Sequence, residues 1–216
     1  MRKSRLGRTG EESVAVLINA KIDKLLETTS RSFYPTLKYL PKKVRGQIGL
    51  LYLLARLADT IADSKHGEAE ILLDFLEKYN NVVQGRETKL PDFSGLAAIQ
   101  TNPHEAELLL NAEDVIEGLL EYDEGDRNRI LECLEVIVGG QILDLKRFGT
   151  AMEGGGILSL TSDEELDDYA YRVAGCVGTF WSKMSLVHLM TLSPEKEKIF
   201  LEKGIRFGKA LQMINI

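Results

Sequence analysis

A chain of 216 residues, 44% hydrophobic and 28% charged, has the composition of an ordered globular domain, which excludes intrinsic disorder. Its net charge of −6 sets up a field that repels phosphate polymers, so nucleic acid is not an expected partner, while a small phosphorylated ligand in a local basic pocket stays compatible. Neither of the 2 cysteines, Cys133 and Cys176, sits in a CxxC pair, and the 3 histidines, His66, His104 and His188, supply no zinc-ligand spacing. Two buried, reduced thiols in a cytoplasmic setting are expected.

The basic opening run MRKSRLGRTGEE leads into no apolar segment and does not read as a secretory signal. Apolar residues then recur at three and four over 14–26, which predicts a first helix. Ser30-Arg31-Ser32-Phe33 follows where that helix breaks. Hydroxyls, a guanidinium and free backbone N–H groups at a helix start suit an anion, although such a string can equally be a plain cap. Leu40-Pro41 marks the next break. The stretch 46–64, GQIGLLYLLARLADTIADS, is apolar around most of its circumference, the pattern of a helix buried in a bundle. Its exceptions, Tyr52, Arg56, Asp59, Thr60 and Asp63, fall within roughly a quarter-turn at about 100° per residue. Burying charge costs several kcal/mol unless something pairs with it. Arg56 and Asp59 can pair at i,i+3, which leaves Asp63 to meet its countercharge from outside this helix. Two carboxylates one turn apart suit a hard divalent cation, with waters and substrate phosphates completing its shell. An arginine beside them can grip phosphate oxygens.

Helical periodicity continues over 71–83, 106–120, 130–148, 166–192 and 199–214. Polar loops are predicted over 85–103, ending at Asn102-Pro103, and over 151–160 around Gly154-Gly155-Gly156. Ser162 with Glu165 reads as a capping box, and Ser193-Pro194-Glu195 as an N-cap, an N1 proline and a first-turn acid. Within 166–192, the run Tyr169-Ala170-Tyr171-Arg172-Val173-Ala174-Gly175-Cys176-Val177-Gly178 leaves one side nearly bare at Ala174, Gly175 and Gly178. Close helix packing and the wall of an apolar cavity explain that side equally well. Gln212 and Asn215 lie about one turn apart on the last helix. The longest apolar stretch, 48–58, is about half a bilayer crossing and contains Arg56, so no membrane span is expected. A single all-α domain over 1–216, a helical bundle around a central cavity, is the fold these patterns predict.

These strings together resemble the squalene/phytoene synthase family of head-to-head prenyl-diphosphate synthases. SRSF at 30–33 is similar to the family's entry motif, and YLLARLADTIAD at 52–63 to its first aspartate-rich motif, DxxxD. IVGGQILDLKRF at 137–148 is similar to a helix with a Gly-x-x-x-Asp-Leu pattern, YAYRVAGCVG at 169–178 to YxxxVAGxVG, and GKALQMINI at 208–216 to the approach to a second aspartate-rich motif. The resemblance implies an isoprenoid-synthase type of all-α bundle and a Mg²⁺-dependent prenyltransferase acting on farnesyl diphosphate. Asp59 and Asp63 would then bind Mg²⁺, and Ser30, Arg31, Ser32, Tyr52 and Arg56 would surround the departing diphosphate. Tyr169 would lie near cationic carbons, Phe33, Val173 and Gly175 would shape a prenyl tunnel, and Gln212 and Asn215 would approach the second diphosphate. The implied product is squalene, with NADPH as reductant and peripheral membrane contact for the apolar product. The alternatives are dehydrosqualene or phytoene synthesis without NADPH, a non-catalytic assembly or scaffold role, or a head-to-tail relative of the same all-α type. In the family the string similar to 212–216 runs on into a second DxxxD motif and further helices. The chain as given is therefore expected to hold part of the metal site and to be inactive by itself.

Overall fold

The computed structural model describes residues 19–30, 33–64, 69–154 and 158–216. Among the described residues there is no β-strand, as the periodicity predicts. The chain runs through α1 (Ala20–Ser30), α2 (Phe33–Tyr39), α3 (Lys42–Ala62), α4 (Ala69–Val83), α5 (Ser94–Ala98) and α6 (Pro103–Leu110). It continues through α7 (Ala112–Glu117), a 3₁₀ turn at Gly118–Glu121, α8 (Glu124–Gly154), α9 (Asp163–Ala170), a π-helical segment at Tyr171–Gly175, α10 (Cys176–His188) and α11 (Pro194–Asn215). Both proline breaks hold. Pro41 caps α3, and Asn102 caps α6 by accepting from the His104 N–H.

Several boundaries differ from the sequence expectation, each for a local reason. The predicted loop 85–103 contains α5, because Phe93, Leu96 and Ala97 are buried and Phe93 packs against Phe75 with ring centroids 5.8 Å apart. Five residues are too few to show a helical period. The predicted loop 151–160 is shortened by α8, which runs on to Gly154, while Gly155 and Gly156 lie outside the described residues. The predicted helix 106–120 breaks at Asn111, whose side chain donates to the Glu107 carbonyl. The capping box at α9 is made in altered form. Ser162 Oγ accepts from the Glu165 N–H, but Glu165 returns its bond to the N–H of Thr161, one residue farther out. Ser193 precedes the N1 proline of α11 without a side-chain capping bond.

The α3 rod is the axis of the molecule, in contact with α4, α6, α7, α8 and α10. Leu50, Leu53, Leu54, Leu57 and Ile61 are fully buried, and the buried Tyr79 of α4 donates to the Leu54 carbonyl at 2.8 Å. Apolar burial of this kind contributes roughly 1.5–3 kcal/mol per large side chain. No helix among the described residues is long and apolar enough to cross a membrane.

At one end of the bundle Asp126, with 4% of its side chain exposed, joins three helices. It accepts from Gln47 Nε2 of α3 at 2.8 Å, from Arg129 Nη1 of its own helix at 3.2 Å, and faces His188 Nε2 of α10 at 2.8 Å. Burial pushes its carboxyl up, but the bonds from Gln47 and His188 and the charges of His188 and Arg129 outweigh this and hold it below 3.8. The sign follows from linkage: a carboxyl whose folded value is depressed stabilises the fold above its ordinary value, and this is lost as pH falls below it. Asp126→Asn is expected to cost about 2–3 kcal/mol at neutral pH, the worth of charge-assisted bonds in a buried site. In urea titrations the difference from the parent should shrink below pH 3.8; a difference constant from pH 7 down to 3 would rule out the charge as its source.

A different device joins α10 to α11. A Cβ at Gly178 would lie 2.0 Å from the Gly204 carbonyl oxygen, and one at Gly208 would lie 2.2 Å from that of Ala174. Backbone therefore touches backbone along this seam. Gly175 belongs to it as well, since a Cβ there would meet Tyr171 Cδ2 at 2.9 Å and Lys209 Cγ at 3.1 Å. Both readings of the bare side have support: Gly175 and Gly178 pack closely against α11, and Ala174 and Gly178 also line an apolar cavity of about 690 Å³ with Val173, Phe207 and Leu211.

Candidate active site

A cavity of about 380 Å³ lies between α3, α8, α9 and α10, with Phe33 of α2 on its rim. Its apolar wall includes Ile48, Leu51, Ala55, Ile137, Val177, Phe180 and Trp181. Its polar groups are Tyr52 and Asp59 of α3, Asp63 at the C-cap of α3, Gln141 and Asp144 of α8, and Tyr169 of α9. The ring of Phe33 tilts against that of Tyr52, with centroids 4.9 Å apart.

The stripe predicted on α3 divides. Relative to Tyr52, at about 100° per residue, Asp59 and Asp63 lie within about 20° on either side, whereas Arg56 and Thr60 lie about 40° and 80° round in one direction. That displacement carries Arg56 to the α6 side, where its guanidinium pairs with Glu105. Arg56 does not line the cavity, and of the pairing that the i,i+3 spacing allows with Asp59 only a longer-range attraction is left, the ion pair being made with Glu105. Thr60, which is buried, turns back to donate to the Arg56 carbonyl at 2.8 Å.

Asp59 is the electrostatic centre of the site. Burial first, and then the charge of Asp63, push its carboxyl up to about 6, against the opposing influence of the Arg56 charge and of a hydrogen bond from Gln141. Gln141 Nε2 donates to Asp59 Oδ1 across the space between α8 and α3. Asp144, one turn beyond Gln141, is raised by burial, with Arg147 and Arg172 pulling the other way. Gln141 and Asp144 were not singled out as site residues from sequence; the Gly-x-x-x-Asp-Leu string is the signal that contains both.

The wall formed by α9 and α10 has an unusual cause of straightness. Tyr169, Val173, Val177 and Trp181 all line the cavity, at a constant spacing of four residues. In a plain α-helix such a row drifts by about 40° per step. The π segment Tyr171–Gly175 lies in the middle of the row, and its wider turn advances each residue by less, so the row stays on one face. The π turn is closed by the Cys176 N–H donating to the Tyr171 carbonyl, while Cys176 Sγ donates to the Arg172 carbonyl at 3.1 Å. Both Cys133 and Cys176 are free and buried.

Other expected site residues are placed as follows. Gln212 Nε2 donates to the Tyr169 hydroxyl at 3.4 Å, so α11 does reach the cavity wall. Asn215 is exposed near the end of α11 and does not line the cavity. Ser30 is buried and donates to the Leu26 carbonyl of its own helix instead of facing the cavity. Arg31 and Ser32 lie outside the described residues. Gly175 is in the α11 seam, and Val173 lines the cavity.

Among the described residues no three thiol, imidazole or carboxylate groups converge closely enough to enclose a metal ion. The donor set at Asp59 and Asp63 nevertheless fits Mg²⁺, which is commonly held by one or two carboxylates and takes its remaining oxygens from water and phosphate.

The family model for squalene/phytoene synthase matches residues 26–216. The chain belongs to the squalene/phytoene synthase family. Over 163 residues it is 26% identical to the squalene synthase of Schizosaccharomyces pombe, a match covering 74% of this chain and 33% of that protein. Over 196 residues it is 28% identical to the bifunctional lycopene cyclase/phytoene synthase of Colletotrichum graminicola, covering 88% of this chain and 30% of that protein. The chain thus matches about a third of the length of these curated relatives. For a squalene/phytoene synthase family member, the acidic helix α3 and the aromatic wall of α9 and α10 now share one cavity.

Proposed function

We propose that the protein catalyses head-to-head condensation of two farnesyl diphosphates, with diphosphate release. The observation that carries this reading is a cavity acidic at Asp59 and Asp63 and apolar and aromatic over the rest of its wall. The first farnesyl diphosphate would break its allylic C–O bond, giving diphosphate and a cation delocalised over the allyl system. That cation would add to the double bond of the second molecule, which closes a cyclopropane ring on loss of a proton and keeps its own diphosphate. Asp59 and Asp63 would hold Mg²⁺, which when bound neutralises the charge of the departing diphosphate. Phe33, Tyr52, Tyr169 and Trp181 present ring faces that tolerate cationic carbon, and the apolar side chains between them exclude water that would capture it. Tyr169 is held in place by the Gln212 amide, so one end of α11 sets the position of a ring in the site.

The squalene outcome is distinguished by its reductant. Incubation of the whole protein with farnesyl diphosphate and Mg²⁺, followed by gas chromatography, is expected to show Mg²⁺-dependent release of diphosphate and, once NADPH is added, squalene. A C30 product that NADPH leaves unchanged would move the assignment to dehydrosqualene or phytoene-type synthesis. Absence of diphosphate release at every cation concentration would reject catalysis in favour of a scaffold role.

A further inference from the structure

We infer that Gln141 is a positioning residue that presets Asp59 for a hydrated divalent cation, holding one carboxylate oxygen with its amide N–H and offering its carbonyl to a donor that comes with the cation. The inference rests on the magnesium reading above and adds to it a residue from the opposite helix.

Three observations converge on this side chain. Its Nε2 donates to Asp59 Oδ1, and this orientation of the amide is fixed by chemistry, because an ionised carboxylate can only accept. Its Oε1 is buried and has no hydrogen-bond partner. A buried acceptor without a donor costs about 1–3 kcal/mol, so a ligand that brings a donor to it gains by doing so. Gln141 also lines the same cavity as Asp59 and Asp63, which makes that cavity the direction from which a donor can arrive.

The arrangement solves a problem set by α3 alone. Two carboxylates one turn apart repel each other, and each can rotate about its last bond, so a bare pair is neither fixed nor directed. With Oδ1 of Asp59 occupied by the amide, Oδ2 is the oxygen left for a cation. Magnesium keeps several of its waters when it binds to protein carboxylates, and a water on a cation is a strong donor, the partner that Oε1 lacks. Groups that orient metal-binding side chains in this way typically account for 10–100-fold in metal affinity.

The test is calorimetric titration of Mg²⁺ into the 216-residue chain in the presence of inorganic diphosphate. Gln141→Met, which keeps the length but has no donor and only a weakly accepting sulfur, is expected to weaken Mg²⁺ binding by roughly 10–100-fold. The melting temperature of the cation-free protein should stay close to that of the parent. Gln141→Asn, which keeps the amide but withdraws it by one methylene, should weaken binding in the same direction and covers the case in which the methionine variant folds poorly. Asp59→Asn in parallel separates the two levels of the reading. If it abolishes binding while both Gln141 variants bind like the parent, Gln141 has no positioning role and the metal assignment stands. If Asp59→Asn binds Mg²⁺ like the parent, the metal assignment fails and this inference with it. A melting temperature that falls in step with affinity would make Gln141 a structural residue only and overturn the inference.

Discussion

In the whole protein, Asp59→Asn is expected to lower diphosphate release from farnesyl diphosphate by roughly 10²–10³-fold, the usual loss when one preorganised group that stabilises charge in the transition state is removed. The amide is neutral and a poor ligand for magnesium. The same substitution should make the cation-free protein more stable. The folded carboxyl lies at about 6 against an ordinary 3.8, so the folded state holds its proton more tightly than the unfolded chain. The penalty for the charged form is therefore absent below pH 3.8, grows as pH rises towards 6, and is complete above it. A shift of about two pH units corresponds to about 3 kcal/mol. Urea titrations at pH 7.5 should show the variant as the more stable protein and at pH 3.5 little difference. Lower stability at both values together with undiminished turnover would reject the placement of Asp59 in the site.

Gly178→Ala carries the largest expected cost to the fold. Its new methyl would stand 2.0 Å from the Gly204 carbonyl oxygen, and no rotamer change relieves a contact between a Cβ and a backbone. The helices α10 and α11 must separate along the whole seam, where overpacking typically costs about 1–3 kcal/mol and sometimes more. A loss of at least about 3 kcal/mol is expected here, because the backbone itself must yield. The effect should also reach the site, since α11 delivers Gln212 to Tyr169. Thermal melting and circular dichroism measure the first effect, and the farnesyl diphosphate assay measures the second. A melting temperature equal to that of the parent would show that the seam is looser than its geometry states.

The helical character of the chain was legible because core-facing helices advertise their period, and Asp59 and Asp63 stood out because charge on an otherwise apolar rod is costly. The direction of Arg56 was not legible. It shares a sector with Asp59 on α3, and only the presence of Glu105 on α6 decides which neighbour it meets. Gln141 was hidden for a related reason: an amide in a long helix is unremarkable until the opposite helix supplies a carboxylate. Ser30 illustrates the converse, a hydroxyl in a suggestive string that turns back onto its own helix. The bare side at Gly175 and Gly178 left packing and cavity equally plausible in sequence, because both need small residues. The partner glycines at 204 and 208, which make the close packing, lie 26 and more residues downstream, and they line an apolar cavity as well.

The π turn at Tyr171–Gly175 makes this stretch tolerant of a change in length that the rest of the helix would not bear. A π turn holds one residue more than a straight helix needs. Deleting the extra residue there, at a position other than Val173, would restore an ordinary ladder, and because the wider turn had absorbed that residue, everything beyond it would keep nearly its facing relative to α9. Tyr169 would stay in one row with Val177 and Trp181, and the glycine face of α10 would still meet α11. A single-codon deletion in the uninterrupted part of α10, between Cys176 and Trp181, would instead rotate every later residue by about 100° and should be far more damaging.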